Sequence, residues 1–269
     1  MSTPQPAARP RTVLITGASS GLGYEFSKLF ARDGYQLVLV ARDEHKLEAV
    51  AQELRDLRKG AVVVIAQDLS IPDAAQAVYD AVQRAGLTVD VLVNNAGYTV
   101  FGPFVDTDGE QERGLMMTNM VALTLLTKLF LPGMVARKRG RILNLSSTAA
   151  FQAGPLMAVY YASKAYVLSF SEALANEVAG TGVTVTALCP GPTATGFQAR
   201  GQLENSALIK DRQIASAASV ALAGYQAMQR GQTMLVTGRQ NQVFAFLLGR
   251  VLPRKMAAAL IRRVQAEVH

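Results

Sequence analysis

The sequence predicts a single α/β domain: a doubly wound parallel sheet of about seven strands, helices on both faces and a helical extension at the C-terminus. Three observations carry this expectation. Short β-branched runs alternate with longer segments of helical periodicity. The strand-like runs are predominantly apolar along their length, as expected of strands covered on both faces. The 269 residues, half of them apolar and 17% charged, suffice to bury one substantial core.

Val13–Ile15 opens the series, and a helix starts near Leu22. Leu37–Val40 is the second strand, before a helix over Asp43–Leu57 with Leu47, Val50, Leu54 and Leu57 at helical spacing. Val62–Ile65 is the third. Pro72 marks the next helix start, because a first turn needs no N–H from that position. Val89–Val93 leads into a long helix from Met116 to Met134, in which Met116, Met117 and Met120 read as helix core. Arg141–Leu145, Val183–Leu188 and Met234–Val236 complete the seven strands. No internal repeat, low-complexity segment or interior linker interrupts the pattern.

This composition excludes a disordered chain, a collagen-like chain and a disulfide-stapled mini-protein. The one cysteine, Cys189, cannot form an intrachain disulfide; it reads as a small buried apolar residue and fits a cytoplasmic location. The Pro/Ala-rich start lacks the apolar run of a secretory signal. No uninterrupted apolar run approaches the ~18 residues of a membrane span, so a soluble chain is expected. The net charge of +7 sits at the ends: residues 230–269 hold seven Lys/Arg against one Glu, and the first twelve hold Arg9 and Arg11. The near-neutral body argues against a nucleic-acid partner. His45 and His269 lack metal-ligand spacing, and no metal site is expected.

The first strand runs directly into Thr16-Gly17-Ala-Ser-Ser-Gly21-Leu-Gly23, which opens the first helix. A dinucleotide pyrophosphate needs a tight turn, close backbone approach and free N–H groups at a helix N-terminus. Glycines at 17, 21 and 23 supply these. Such a turn alone also fits an ordinary βα loop; here it stands between a strand and a helix, the context that the motif requires.

The Gly-x-x-x-Gly-x-Gly spacing resembles that of the short-chain dehydrogenase/reductase superfamily, and the resemblance continues along nearly the whole chain. Asn94-Asn-Ala-Gly97 follows the fourth strand, Ser147 the fifth, Tyr160-x-x-x-Lys164 opens the next helix, and Pro190-Gly-Pro-Thr-Ala-Thr195 follows the sixth. The resemblance implies a Rossmann-like fold and a nicotinamide cofactor held by Gly17, Ser19, Ser20, Gly21, Leu22, Gly23, Asp68, Leu69, Asn94, Ala96, Gly97, Pro190, Gly191, Thr193 and Thr195, with Asp68 at the adenine. It implies Ser147 as the group that holds the substrate oxygen, with Ser146 the alternative. It implies Asn119 as an anchor for a proton-relay water, and Lys164 as a ligand of the nicotinamide ribose. Residues 12–240 form the dinucleotide-binding and catalytic domain on this reading, after a flexible segment 1–11 and before an extension 241–269.

NAD users place an acid at the end of the second strand for the ribose 2′-OH. Ala41 stands there, followed by Arg42, whose fork suits a phosphate. Asp43 is placed to cap the next helix. NADP(H) is therefore expected over NAD(H). Reduction of a carbonyl also needs a proton donor. Tyr160 and Lys164, spaced i,i+4, share a helix face, and a nearby ammonium should pull the phenol pKa below its ordinary value. Tyr161 is a rival that breaks the motif spacing. The expected activity is hydride transfer between nicotinamide and an alcohol/carbonyl substrate with Tyr160 as general acid/base; a redox sensor without turnover is the alternative.

A lid is expected over Gly196–Lys210, where Phe197, Leu203, Leu208 and Ile209 suggest a partly apolar substrate. Apolar Leu123, Leu126, Phe130, Val167, Phe170 and Leu174 fit either core or interface, and a homodimer or homotetramer is expected. In the extension, Ala257, Leu260, Ile261 and Val264 form a stripe flanked by Arg254, Lys255, Arg262 and Arg263. Protein cover for this stripe is favoured over a membrane surface, with two helices meeting at Pro253.

Overall fold

A computed structural model of the chain describes residues 9–57, 61–195, 214–247 and 251–265. Seven parallel strands form the central sheet: β1 (Thr12–Thr16), β2 (Gln36–Ala41), β3 (Val62–Ala66), β4 (Val89–Asn94), β5 (Gly140–Leu145), β6 (Val183–Cys189) and β9 (Met234–Val236), in spatial order β3-β2-β1-β4-β5-β6-β9. A separate two-residue pair joins β7 (Thr193–Ala194) to β8 (Ala215–Ser216). All seven expected strands are present, and the order reverses between β1 and β4.

Helices cover both faces because successive strand side chains point to opposite sides. Val13 and Ile15 of β1, with Leu37 and Leu39 of β2, pack with Phe26 and Phe30 of α1 (Gly21–Arg32) and Leu47 and Leu54 of α2 (Glu44–Leu57). Leu14, Val38 and Val40 face the other layer, with Val78 and Val82 of α3 (Ala74–Arg84) and Leu126, Phe130 and Met134 of α5 (Leu123–Ala136). Phe26, Phe30 and Leu126 are fully buried, and each such side chain contributes about 1.5–3 kcal/mol relative to exposure. Helix α3 begins two residues after Pro72, behind Asp73 in a left-handed conformation.

The expected long helix is α4 (Gly109–Met116) continued through a π-helical segment (Met117–Ala122) into α5. At 28 residues it is long and apolar enough by composition to cross a membrane, yet half of that apolar window is buried inside the molecule. The methionines are not its core: Met116 is exposed and Met117 and Met120 are half-buried, while Leu115, Thr118, Asn119 and Ala122 are buried. The wide π turn changes which positions face inward. In α6 (Ala158–Glu177), Val167 and Leu174 are buried, as are Leu123, Leu126 and Phe130 in α5, and Phe170 packs on that same core. The exposed apolar residues of this side are instead Met116, Val121, Leu125 and Tyr166.

Arg9 and Arg11 are not part of a free segment. Arg9 pairs with both oxygens of the buried Asp90 at 3.0 Å, and Arg11 lies 4.5 Å over the Tyr35 ring. Asp90 also accepts from the Thr12 N–H and from Arg139. Burial pushes its carboxyl up, but these donors more than offset it and hold the pKa below the ordinary value. Residues 1–8 and the expected lid at 196–210 lie outside the described residues.

After helix α7 (Ala217–Gln229) and β9, the extension forms α8 (Arg239–Phe246) and α9 (Arg254–Gln265), with Pro253 just ahead of α9. Ala257 and Ile261 are buried against Tyr161, Met157 and Ala149. Leu260 is exposed, because it lies one residue out of the i, i+4 row that Ala257 and Ile261 occupy. The side chain of Val264 lies outside the described residues.

Candidate active site

The strand-order reversal leaves a crevice at the C-terminal ends of β1 and β4, where open α/β sheets bind ligands. It holds a cavity of about 840 Å³. At one end lies the glycine turn. Gly17 has φ +66, and a Cβ there would stand 2.8 Å from the Asn95 amide and 3.0 Å from the Ala96 Cα. Gly23 is needed for a different reason: a Cβ would stand 2.2 Å from the Gly17 carbonyl oxygen. The turn thus lies flat on the chain after β4, held by the Asn95 side chain, which donates to Thr16 O (2.8 Å) and Gly17 O (3.2 Å). Gly17, Ser19, Ser20, Gly21 and Leu22 line the cavity beside the N-terminus of α1. This bare backbone at a positive helix end is chemically suited to a pyrophosphate.

Ala41, Arg42 and Lys46 line the next stretch. Arg42 is exposed, and its neighbour Asp43 caps α2, accepting from the Lys46 N–H at 3.0 Å. Asp68 and Leu69 lie opposite; one Asp68 oxygen accepts from the backbone and hydroxyl of Ser70. Ala96, Gly97, Pro190, Gly191, Thr193 and Thr195 complete the rim. Three of the expected residues are not brought to the cavity. Gly23 packs beneath the turn. Asn94 is buried and donates to Thr127 (3.1 Å) and Asn144 (2.9 Å), since at the strand end it points into the helical layer while Asn95 faces the crevice. Asn119, on the π segment, is buried behind Gly97; it donates to Tyr98 O and Ser163 Oγ and accepts from the Tyr98 N–H.

At the other end Ser147, Tyr160 and Lys164 line one wall. The Tyr160 hydroxyl lies beside Ser147, whose Oγ donates to the Pro190 carbonyl at 3.4 Å and accepts from the Ala149 N–H at 3.1 Å. Ser146 is occupied otherwise: it is buried and donates to the Lys164 carbonyl at 2.8 Å. The Lys164 ammonium donates to Leu145 O at 2.8 Å and lies 5.7 Å from the Tyr160 ring centre. Burial pushes the Lys164 pKa down to about 8. It pushes Tyr160 up to about 12, against the downward pull of the Ser147 hydroxyl. The expected lowering of the phenol by the ammonium is not found in the protein alone: desolvation outweighs a cation that is 5.7 Å from the ring and bonded elsewhere. Cys189 is likewise pushed up to about 12 by burial and stays a thiol.

Tyr161 has another partner. Its ring meets that of Tyr160 edge-on at 6.0 Å, and its hydroxyl accepts from Gln265 Nε2 at 2.6 Å. Burial is the main cause of its raised pKa. Helix α9 thus docks on the helix that carries Tyr160, and Ile261 reaches the cavity wall, as do Gln240, Asn241 and Phe244 of α8. Sequence reasoning missed these wall residues, as it missed Gln152, Met157 and Thr118, which also line the cavity. The one available signal was the i, i+4 row of Ala257 and Ile261, which shows a buried face but not what it meets.

The family model described as short chain dehydrogenase matches residues 11–205. A protein of Streptomyces violaceoruber named as a ketoacyl reductase of granaticin polyketide synthase is 40% identical over 204 residues, covering 74% of this chain and 73% of that protein. A very-long-chain 3-oxoacyl-CoA reductase of Pyrenophora tritici-repentis is 38% identical over 178 residues, 64% of this chain; the match spans about half of that relative, 52%. Among solved structures, a short-chain dehydrogenase from Sphingobium yanoikuyae in complex with NADPH aligns with a TM-score of 0.80 at 32% identity, covering 95% of this chain and 98% of that one. With the family model spanning well over half of its length, the chain belongs to the short-chain dehydrogenase family, oxidoreductases that act on alcohol and carbonyl groups.

Proposed function

We propose that the protein reduces a carbonyl, or oxidises the corresponding alcohol, with NADP(H), and that Tyr160 handles the proton. The observation that carries this reading is the convergence of Ser147 and Tyr160 on one cavity wall, with Lys164 one helical turn beyond Tyr160. A sensor needs no such pair, which favours turnover over the regulatory alternative. The glycine turn and the N-terminus of α1 would hold the pyrophosphate. Arg42 would meet a ribose 2′-phosphate, with no carboxylate at position 41 to repel it. When bound, the nicotinamide supplies or accepts the hydride.

The chain's own residues do the rest. Ser147 Oγ donates to the substrate oxygen and orients it. Tyr160 Oη, protonated at neutral pH because burial keeps its pKa near 12, delivers the proton to the developing alkoxide. Lys164, whose pKa near 8 leaves it largely charged at neutral pH, stabilises the phenolate that results. Asn119 acts at one remove: it fixes the Tyr98 backbone and Ser163 and so holds Gly97 against the site. The apolar wall of Met157, Tyr161, Phe244 and Ile261 supports a substrate with an apolar body. The exposed Met116, Val121, Leu125 and Tyr166 support a two-fold homodimer through this helical face.

The test is NADPH oxidation over a panel of ketones, repeated with Tyr160→Phe. Turnover should fall by about a hundredfold or more, the scale of general acid–base catalysis, with NADPH affinity unchanged. Near-normal turnover of Tyr160→Phe would remove Tyr160 from the reaction.

A further inference from the structure

The exposed apolar side chains of this molecule are unevenly placed. Fifteen large hydrophobic residues are exposed among the described residues, and six of them (Val243, Phe244, Leu247, Val251, Met256 and Leu260) fall between positions 243 and 260. Arg239, Arg254, Lys255, Arg262 and Arg263, within or just beside that segment, are exposed as well, and residues 230–265 contain no acidic residue. The inner face of α9 is already committed to protein: Ala257 and Ile261 pack on Tyr161 and Met157, and Gln265 bonds the Tyr161 hydroxyl. Met256, Leu260 and Arg263, at i, i+4 and i+7, share a different face, which points outward.

We infer that the outer face of the C-terminal extension is a docking surface for an anionic lipid bilayer. An apolar patch in water requires cover. A bilayer surface supplies hydrocarbon and dense negative charge at the same depth, matching Met256 and Leu260 beside Arg262 and Arg263. A second copy of the chain fits this face poorly. A two-fold contact sets each patch against itself, so five cations would face five identical cations without an acid between them. The docked orientation also has a use. Phe244 and Ile261 of the same extension line the catalytic cavity, so its rim would lie beside the lipid, and an apolar carbonyl substrate dissolved there could enter without crossing water. That last clause rests on the proposed function; the docking surface does not.

Co-sedimentation of the full chain with vesicles tests the surface independently of turnover. Vesicles of phosphatidylcholine alone are compared with vesicles in which about a third of the lipid is phosphatidylglycerol, at roughly 0.05 and 0.5 M salt. Binding should require the anionic lipid and weaken at least about tenfold at high salt. Arg262→Gln/Arg263→Gln and Met256→Ser/Leu260→Ser should each weaken it by about tenfold, with melting temperature and NADPH affinity unchanged. Absence of binding to anionic vesicles, or binding that neither pair of substitutions alters, overturns the inference. So does light scattering in which the Met256→Ser/Leu260→Ser pair breaks a homo-oligomer, because the cover is then a second copy. Vesicle binding without turnover on any ketone would leave the surface standing and count against the catalytic reading alone.

Discussion

The Gln265–Tyr161 hydrogen bond can be weighed by removing each partner and then both. Gln265 is fully buried and Tyr161 is 5% exposed, so water cannot replace either group. Gln265→Leu leaves a buried phenol unpaired, which costs about 1–3 kcal/mol. The same change removes the Gln265 Oε1 atom, buried without a partner, and this relief places the net cost near the lower end. Tyr161→Phe keeps that orphaned oxygen and adds an orphaned amide N–H, so it should cost more. The double variant replaces both partners with apolar groups of similar shape and should lie close to the parent. For a chain of this length each kcal/mol lowers the melting temperature by about 2–4 °C. Melting curves, together with hydrogen exchange over residues 254–265, give the four corners of the cycle. Additive losses, with the double variant the least stable, would refute the reasoning. Unchanged exchange in both single variants would show that the bond does not hold α9 in place.

Arg42→Ala should lower NADPH affinity while leaving NADH affinity nearly unchanged, as read by calorimetry; equal losses for both would remove Arg42 from 2′-phosphate recognition. Lys164 is depressed to about 8 by burial, so its charge is present below that pH and lost above it, and kcat/KM should fall as pH rises through about 8. Lys164→Arg, which cannot titrate in this range, should abolish that limb at a reduced overall rate; a limb that persists belongs to another group. Light scattering at micromolar concentration should show a dimer or larger that Leu125→Glu/Tyr166→Glu reduces to a monomer, and an unaltered mass would place the interface elsewhere.

The seven strands were legible because short β-branched, mostly apolar runs alternate with longer segments of helical spacing. The glycine turn was legible because only glycine tolerates φ +66 and the crowding at Gly17 and Gly23. What failed depended on direction. Asn94 and Asn95 are chemically identical, and the motif does not say which faces the crevice; the alternation of the strand decides it. The methionines at 116, 117 and 120 read as helix core rather than a substrate wall, but in the π-containing helix they are exposed or half-buried. The raised pKa of Tyr160 follows from desolvation at the cavity wall, which sequence proximity to a lysine does not reveal. The wall built by Phe244 and Ile261 arises from contacts between residues some hundred positions apart in the chain, for which no local pattern exists.

The π segment at Met117–Ala122 acts as a phase shifter. A regular helix turns ~100° per residue, so its two halves would otherwise be locked to one angular frame. Here α5 is anchored by Leu126, Phe130 and Met134 against the sheet, while α4 presents Glu112 and Leu115 inward in a frame of its own. The extra backbone at the joint absorbs the mismatch and turns the Asn119 amide toward the Tyr98 backbone and Ser163. The side chains of α4 can therefore change by substitution without disturbing the core behind α5, whereas a one-residue deletion at the joint would rotate every side chain of α4 out of register at once.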